Sequence, residues 1–255
     1  MISPPLTHAF LLFGTAFIAG GLNSVAGGGS FITFPTLIFT GMNPVVANAT
    51  NNTAIWVAAL SSAGAYRKDL GIPRKQLLLL CGVSLIGGMI GSIALLYTSS
   101  DVFKKLIPYL LLFATVIFVF GDSLKAWFQR GKTSSETLPL SRLMLIQFAI
   151  ALYGGFFGAG IGILMLATLT FMGIKNIHSI NAFKTFLGSC INGIAIVPFL
   201  FAGVISWQQV IVMSIGGSLG GYLCAHYARK LDPQLVRRFV IFVAVSMTAY
   251  FFVQN

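Results

Sequence analysis

Long apolar runs separated by short basic clusters constrain this chain more than any other feature of it. A helix of about 20 apolar residues, range about 17–25, crosses the hydrocarbon core of a bilayer. In that core a backbone must satisfy its own polar groups, so such runs become helices. Of 255 residues, 56% are hydrophobic and 8% charged, with a mean hydropathy of +0.90. Soluble domains carry about 25% charged residues; a soluble fold of this length could not cover its surface with so few. That excludes a cytosolic enzyme, a disordered chain and a nucleic-acid-binding module. The net charge of +11 does not point to nucleic acid, because the basic residues are dispersed among loops instead of forming one patch. The expected class is an all-α polytopic membrane protein with about 8–10 membrane segments.

Ten runs are read, with soft boundaries, at about 8–26, 30–40, 45–65, 74–97, 103–124, 142–157, 161–173, 178–202, 207–228 and 233–253. Runs 3, 4, 5, 8, 9 and 10 are long enough to span. Runs 2 and 7 are too short and follow glycine breaks, Gly27-Gly28-Gly29 and Gly158-Ala159-Gly160. Broken backbone at membrane depth is tolerated only inside protein or along a cavity, so the breaks are candidates for a site. A polar stretch, 125–141, divides a first membrane repeat, 1–124, from a second, 142–255. The N-terminus has no basic residue before its first apolar run, which argues against a cleaved signal peptide.

The halves repeat. Gly41-Met42-Asn43-Pro44 answers Gly173-Ile174-Lys175-Asn176, and Asn48-Ala49-Thr50-Asn51 answers Asn181-Ala182-Phe183-Lys184. Gly71 matches Gly203, and the pair Gly87 and Gly91 matches Gly216 and Gly220. Cytoplasmic loops are rich in Lys and Arg. Arg67, Lys68, Arg74 and Lys75 therefore face in, as do Lys125, Arg130, Lys132 and Arg142, and Arg229, Lys230, Arg237 and Arg238. The uncharged stretch 202–207 faces out, and Lys104 and Lys105 are the exception. The loop after run 3 is then inside while its repeat partner is outside. Two inverted-topology repeats of about five segments each follow, with short or broken helices at the glycine breaks and both termini outside. That is the signature of secondary transporters.

Lys184 is the most informative residue. It lies a few residues into run 8, and no carboxylate lies in a membrane interior: Asp69, Asp101, Glu136 and Asp232 sit in loops or at segment ends, and Asp122 near the end of run 5. An intramembrane charge normally has a partner, so a bound anion is its natural one. Snorkelling to the interface, or loss of its proton, are the alternatives. The breaks offer helix N-termini with free N–H groups, an anion cradle, through Gly27, Gly28, Gly29 and Ser30, and through Gly158, Gly160 and Gly162. Tight helix packing is the other use of such glycines. Asn48, Asn51 and Asn52 share one helical face, as do Asn181, Lys184 and Thr185. Amides and hydroxyls orient an oxyanion without adding charge, and Asn23 precedes the first break. The same groups also serve as interhelical glue.

Other features are discounted. Gly216-Gly217-Ser218-Leu219-Gly220 matches a hydrolase elbow, with His226 two turns on, but that motif needs a strand-to-helix turn; packing is expected. Cys81, Cys190 and Cys224 lie in apolar runs and are expected to be small packing residues. His8, His178 and His226 have no ligand-spaced companions, so no metal is expected. Trp56, Trp127 and Trp207 are assigned to the interfacial belt.

The chain resembles the TauE/SafE sulfite-exporter family of membrane transporters. The residues that carry the resemblance are Gly20-Gly21-Leu22-Asn23-Ser24-Val25-Ala26-Gly27-Gly28-Gly29-Ser30, Phe34-Pro35 and Ala47-Asn48-Ala49-Thr50-Asn51. In the second half they are Gly154-Gly155-Phe156-Phe157-Gly158-Ala159-Gly160-Ile161-Gly162 and Asn181-Ala182-Phe183-Lys184. The resemblance implies a multi-pass protein of the bacterial inner membrane that exports a small anion such as sulfite or sulfoacetate. The expected partners are that anion and the bilayer, with a homodimer left open, and no nucleic acid, cofactor or enzymatic role. The rival readings are an anion channel and a membrane enzyme or assembly factor. Without a membrane carboxylate, a carboxylate proton relay is not expected.

Overall fold

The structure is a computed structural model, and it describes residues 6–25, 28–63, 74–129, 139–162, 164–165, 177–227 and 233–254. Nine helices stand among them: α1 (Leu6–Val25), α2 (Ser30–Phe39), α3 (Pro44–Ala63), α4 (Arg74–Tyr97), α5 (Ser100–Gln129), α6 (Leu140–Phe156), α7 (Ile177–Phe201), α8 (Trp207–Tyr227) and α9 (Pro233–Gln254). Each forms on an apolar run, where a backbone withdrawn from water must bond to itself. No strand occurs among the described residues, as an all-α membrane fold requires. Run 7 is helical at residues 161, 162, 164 and 165; its remainder lies outside the described residues.

Among the described residues, five helices are long and apolar enough to cross a membrane: α1, α4, α5, α7 and α9. Runs 3 and 9, also expected to span, become α3 and α8. They have the length, 20 and 21 residues, but asparagines dilute the apolarity of α3 and glycines that of α8. Both are packed among other helices, α3 against α7 and α8, and α8 against α1. α2 has only 10 residues, about 15 Å, half the thickness of a bilayer core. Phe31, Thr33, Phe34, Pro35, Thr36 and Leu37 are all buried, so this short helix sits inside protein. α5 continues to Gln129, and the stretch read as a linker from 125 begins as helix. A helix has no physical reason to stop where the bilayer does, because its hydrogen bonds are internal.

Packing interleaves the two halves. The most extensive contacts join α1 to α8 and α4 to α6, and by the repeat matching these are one pair with the halves exchanged. The contacts α3–α8 and α4–α7 form a second such couple. Glycines bring these backbones together. A methyl group added at Gly20 in α1 would fall on the carbonyl oxygen of Gly217 in α8, and one at Gly155 in α6 on that of Gly88 in α4. Gly216 and Gly220 seat against the carbonyls of Phe13 and Phe17, so the Gly-x-Ser-x-Gly stretch packs within a continuous helix.

Two further contacts pair a helix with its own counterpart, α3 with α7 and α5 with α9. Trp56 Nε1 donates to the Ser189 carbonyl at 3.0 Å across the first, and the Thr115 and Thr248 hydroxyls share a 3.1 Å hydrogen bond across the second. Both pairs are 133 residues apart in sequence, the separation of Asn48 from Asn181. Each therefore joins positions that the sequence matching equates. The same spacing carries Lys104-Lys105 onto Arg237-Arg238, so the exception among the basic loops is the counterpart of a basic pair. Trp56 is thus a residue that ties two crossing helices together. Cys81 on α4 and Cys190 on α7, read as separate packing residues, bring their Sγ atoms to 3.3 Å.

Candidate functional site

The two glycine breaks differ in what their backbones offer. At the first, Asn23 on the last turns of α1 reaches forward, and its Oδ1 accepts the Gly29 N–H at 2.9 Å. Phe31 N–H donates to Gly28 O at 3.0 Å, and Ile32 N–H to Gly29 O at 3.0 Å. Gly29 itself is pressed against α1: an added methyl would lie 2.7 Å from the Ala19 carbonyl oxygen. The Gly29 donor and the Asn23 acceptor are therefore spent on each other. Ser30 opens α2, and Gly27 lies outside the described residues.

The second break follows α6. Gly158 and Gly160 both have φ of +80°, a backbone that an L side chain adopts only at a cost of about 1–2 kcal/mol. Tyr153 holds this turn through its hydroxyl, which donates to Ala159 O at 2.9 Å. The breaks meet through aromatic side chains. A methyl at Gly160 would lie 3.8 Å from Phe31 Cζ, and Phe34 packs edge-on against Phe157 with centroids 5.3 Å apart.

Three candidate side chains, Asn48, Asn52 and Lys184, approach this second break. Asn48 Nδ2 donates to Phe156 O, at the end of α6, at 3.0 Å. A methyl at Gly158 would lie 4.0 Å from Asn52 Nδ2, and one at Gly162 would lie 3.6 Å from Lys184 Cδ. α3 of the first half and α7 of the second thus approach the same glycine turn. Lys184 is half-buried. Asp101 is exposed at the start of α5, at the end of a helix. Thr185 follows Lys184 in α7 and is engaged with a partner of its own. The Asn181 side chain lies outside the described residues.

The polar face of α3 is more deeply buried than its sequence suggests. Asn48, Asn51 and Asn52 are 1%, 3% and 5% exposed. Asn48 Oδ1, Asn51 Oδ1, and both Oδ1 and Nδ2 of Asn52 have no hydrogen-bond partner among the described residues. A buried amide atom left unpaired costs about 1–3 kcal/mol, so four of them on one face are unexpected unless something else binds there. Their threonine neighbours are satisfied: Thr50 Oγ1 accepts from Ser206 N–H at 3.1 Å, and Thr53 donates to Ala49 O at 2.8 Å. The sequence reading missed Tyr153, although a tyrosine inside an apolar run signals a hydroxyl that must find a partner.

Comparison with known proteins supplies the remaining context. The family model described as "Sulfite exporter TauE/SafE" matches residues 12–251. A "Probable membrane transporter protein" of Haemophilus influenzae is 29% identical over 240 residues, covering 94% of this chain and 92% of the relative. The "Probable membrane transporter protein ORF9" of a Sinorhizobium species is 27% identical over 237 residues, covering 92% and 89%. The "Probable membrane transporter protein YfcA" of Escherichia coli K12 is 26% identical over 250 residues, covering 98% and 90%. No solved structure matches.

Proposed function

This chain belongs to the sulfite exporter TauE/SafE family of membrane transporters, and on that premise we propose that it exports a small sulfur oxyanion or organosulfonate, of the sulfite or sulfoacetate kind, across a bacterial inner membrane. The observation that carries the reading is the position of Lys184, whose stem lies against Gly162 on the glycine turn that Asn48 and Asn52 reach from the other half. Lys184 supplies charge where few carboxylates compete for it. The Asn52 amide nitrogen, the Thr185 hydroxyl and the backbone N–H groups of Ala159, Gly160 and Gly162 supply directed donors, those of Gly158 and Ile161 being bonded to Tyr153 O and Gly158 O. The first break, with Gly29 held by Asn23, fixes the start of α2 and keeps Phe31 and Phe34 over the site.

The exchange of partners between the halves supports an inverted repeat, with both termini periplasmic and the central linker cytoplasmic. Alternating access then rocks the α1–α8 lobe against the α4–α6 lobe around the site. The test is anion-evoked charge movement in proteoliposomes, with sulfite, sulfoacetate, thiosulfate, sulfate and acetate. A saturable signal with counterflow for one or two of these is expected. Lys184→Gln removes a charged donor worth about 1.5–3 kcal/mol, so its anion affinity should fall about 10- to 100-fold. Unchanged affinity in a folded Lys184→Gln protein would reduce the lysine to a structural role, and sustained single-channel current would make the protein a channel.

A further inference from the structure

We propose that the buried amide oxygens of Asn48, Asn51 and Asn52 form a site for a monovalent cation of the sodium class that moves with the anion. The proposal rests on the anion reading above and assigns that reading its coupling ion. The central observation is the sign of the unpaired groups. Asn48 is oriented by its Nδ2 donating to Phe156 O at 3.0 Å, so its unpaired atom is an oxygen whichever way a free amide is drawn. The unpaired Oδ1 atoms of Asn51 and Asn52 lie on the same face of α3. An anion is repelled by such acceptors; a cation is bound by them.

The surroundings add to that preference. α6 ends at this point, and the C-terminus of a helix carries a partial negative charge. Half-helix ends and carbonyl oxygens at a break are how membrane carriers coordinate sodium ions. α3 carries no carboxylate, and neutral oxygens suit a single positive charge, whereas calcium is held largely by carboxylates. Thr50 and Thr53, interspersed with the asparagines, each have a hydrogen-bond partner, so on α3 the unpaired atoms belong to the asparagines, with Ser189 Oγ on α7 the other buried hydroxyl left unpaired among the described residues. Asn52 has both its amide atoms unpaired. Its Nδ2, facing Gly158, addresses the anion while its Oδ1 addresses the cation, and the anion separates that cation from Lys184.

The experiment follows thermal unfolding of the purified full-length protein in sodium chloride, replaced stepwise at constant ionic strength by N-methyl-D-glucamine chloride, with no sulfur anion present. A saturable rise in unfolding temperature with sodium is expected. It should be lost in Asn51→Leu and Asn52→Leu and kept, at lower sodium concentration, in Asn51→Asp, which retains an oxygen and adds charge. Should the leucine variants fail to fold, the aspartate variant still tests the site through its sodium midpoint. Radioactive sodium uptake into proteoliposomes, driven by a sulfite or sulfoacetate gradient, then tests coupling. Anion flux that proceeds equally without sodium, with no sodium-specific stabilisation, overturns the inference and leaves the anion reading intact. Sodium stabilisation without flux of any sulfur anion supports the cation site and overturns the anion reading.

Discussion

Replacing Gly160 by alanine tests two separate reasons for a glycine at the second break. Its φ is +80°, and an added methyl would lie 3.1 Å from Ala114 Cβ on α5. The left-handed backbone costs an alanine about 1–2 kcal/mol. Ala114 Cβ is fixed to the α5 backbone and cannot rotate away, so α5 itself must yield; overpacking of this kind adds about 1–3 kcal/mol. The expected loss for Gly160→Ala is about 2–5 kcal/mol. Gly41 isolates the backbone term: its φ is +82°, but nothing lies within 4 Å of an added methyl, so Gly41→Ala should cost only about 1–2 kcal/mol. Gly188 in α7 has neither constraint, since nothing lies within 4 Å of its added methyl and its backbone is helical. Alanine there should gain up to about 1 kcal/mol of helix propensity. Thermal unfolding in detergent should rank Gly188→Ala at or above the parent, Gly41→Ala below it and Gly160→Ala lowest. Transport in proteoliposomes should fall for Gly160→Ala and persist for Gly41→Ala. A Gly160→Ala protein as stable as the parent would refute the strained turn. One matching Gly41→Ala would refute the contact with α5.

Two other outcomes follow from particular contacts. Gln147 Nε2 donates to Ser84 Oγ at 2.8 Å between buried residues of α6 and α4. Gln147→Leu leaves that hydroxyl stranded and should cost about 1–3 kcal/mol, with Ser84→Ala in the same chain restoring part of it, as a double-mutant cycle of unfolding free energies would read. For topology, a membrane-impermeant thiol reagent applied from the periplasm should label Ser99→Cys and Ala202→Cys in a background lacking the native cysteines, and reach Ser134→Cys only after the membrane is opened. Reversed labelling would remove the inverted-repeat argument.

Helix ends and breaks were readable because they depend on neighbours along the chain. Loss of apolar character or a glycine break is such a local cue, and α4 and α9 begin where their runs were placed; proline is not, since Pro35, Pro108 and Pro198 lie inside α2, α5 and α7. The repeat reading rests on the same kind of local cue, on Asn48 and Asn181 and on the matched glycine pairs. The face shared by Asn48, Asn51 and Asn52 followed from helical periodicity alone. The α5 extension to Gln129 was not readable from hydropathy, which marks where a helix leaves lipid and not where its hydrogen bonds stop.

What only the tertiary structure decided is which groups meet. Sequence placed Asn23 and Gly29 together as anion donors, and the fold spends one on the other. It offered the asparagines as donors, and the fold leaves mainly their oxygens unpaired. It set Trp56 at an interface and Cys81 apart from Cys190, and helix crossing joined Trp56 to Ser189 and the two thiols to each other. These partners lie more than 100 residues apart, apart from Asn23 and Gly29, which meet across a reversal of the chain. Local propensity acts over a few residues and fixes which segments are helical, whereas which polar atoms remain free depends on distant backbones brought close by glycine. Sequence alone therefore determined a helical membrane protein with one conspicuous lysine, and tertiary packing determined that the lysine and a face of unsatisfied amides converge on one glycine turn.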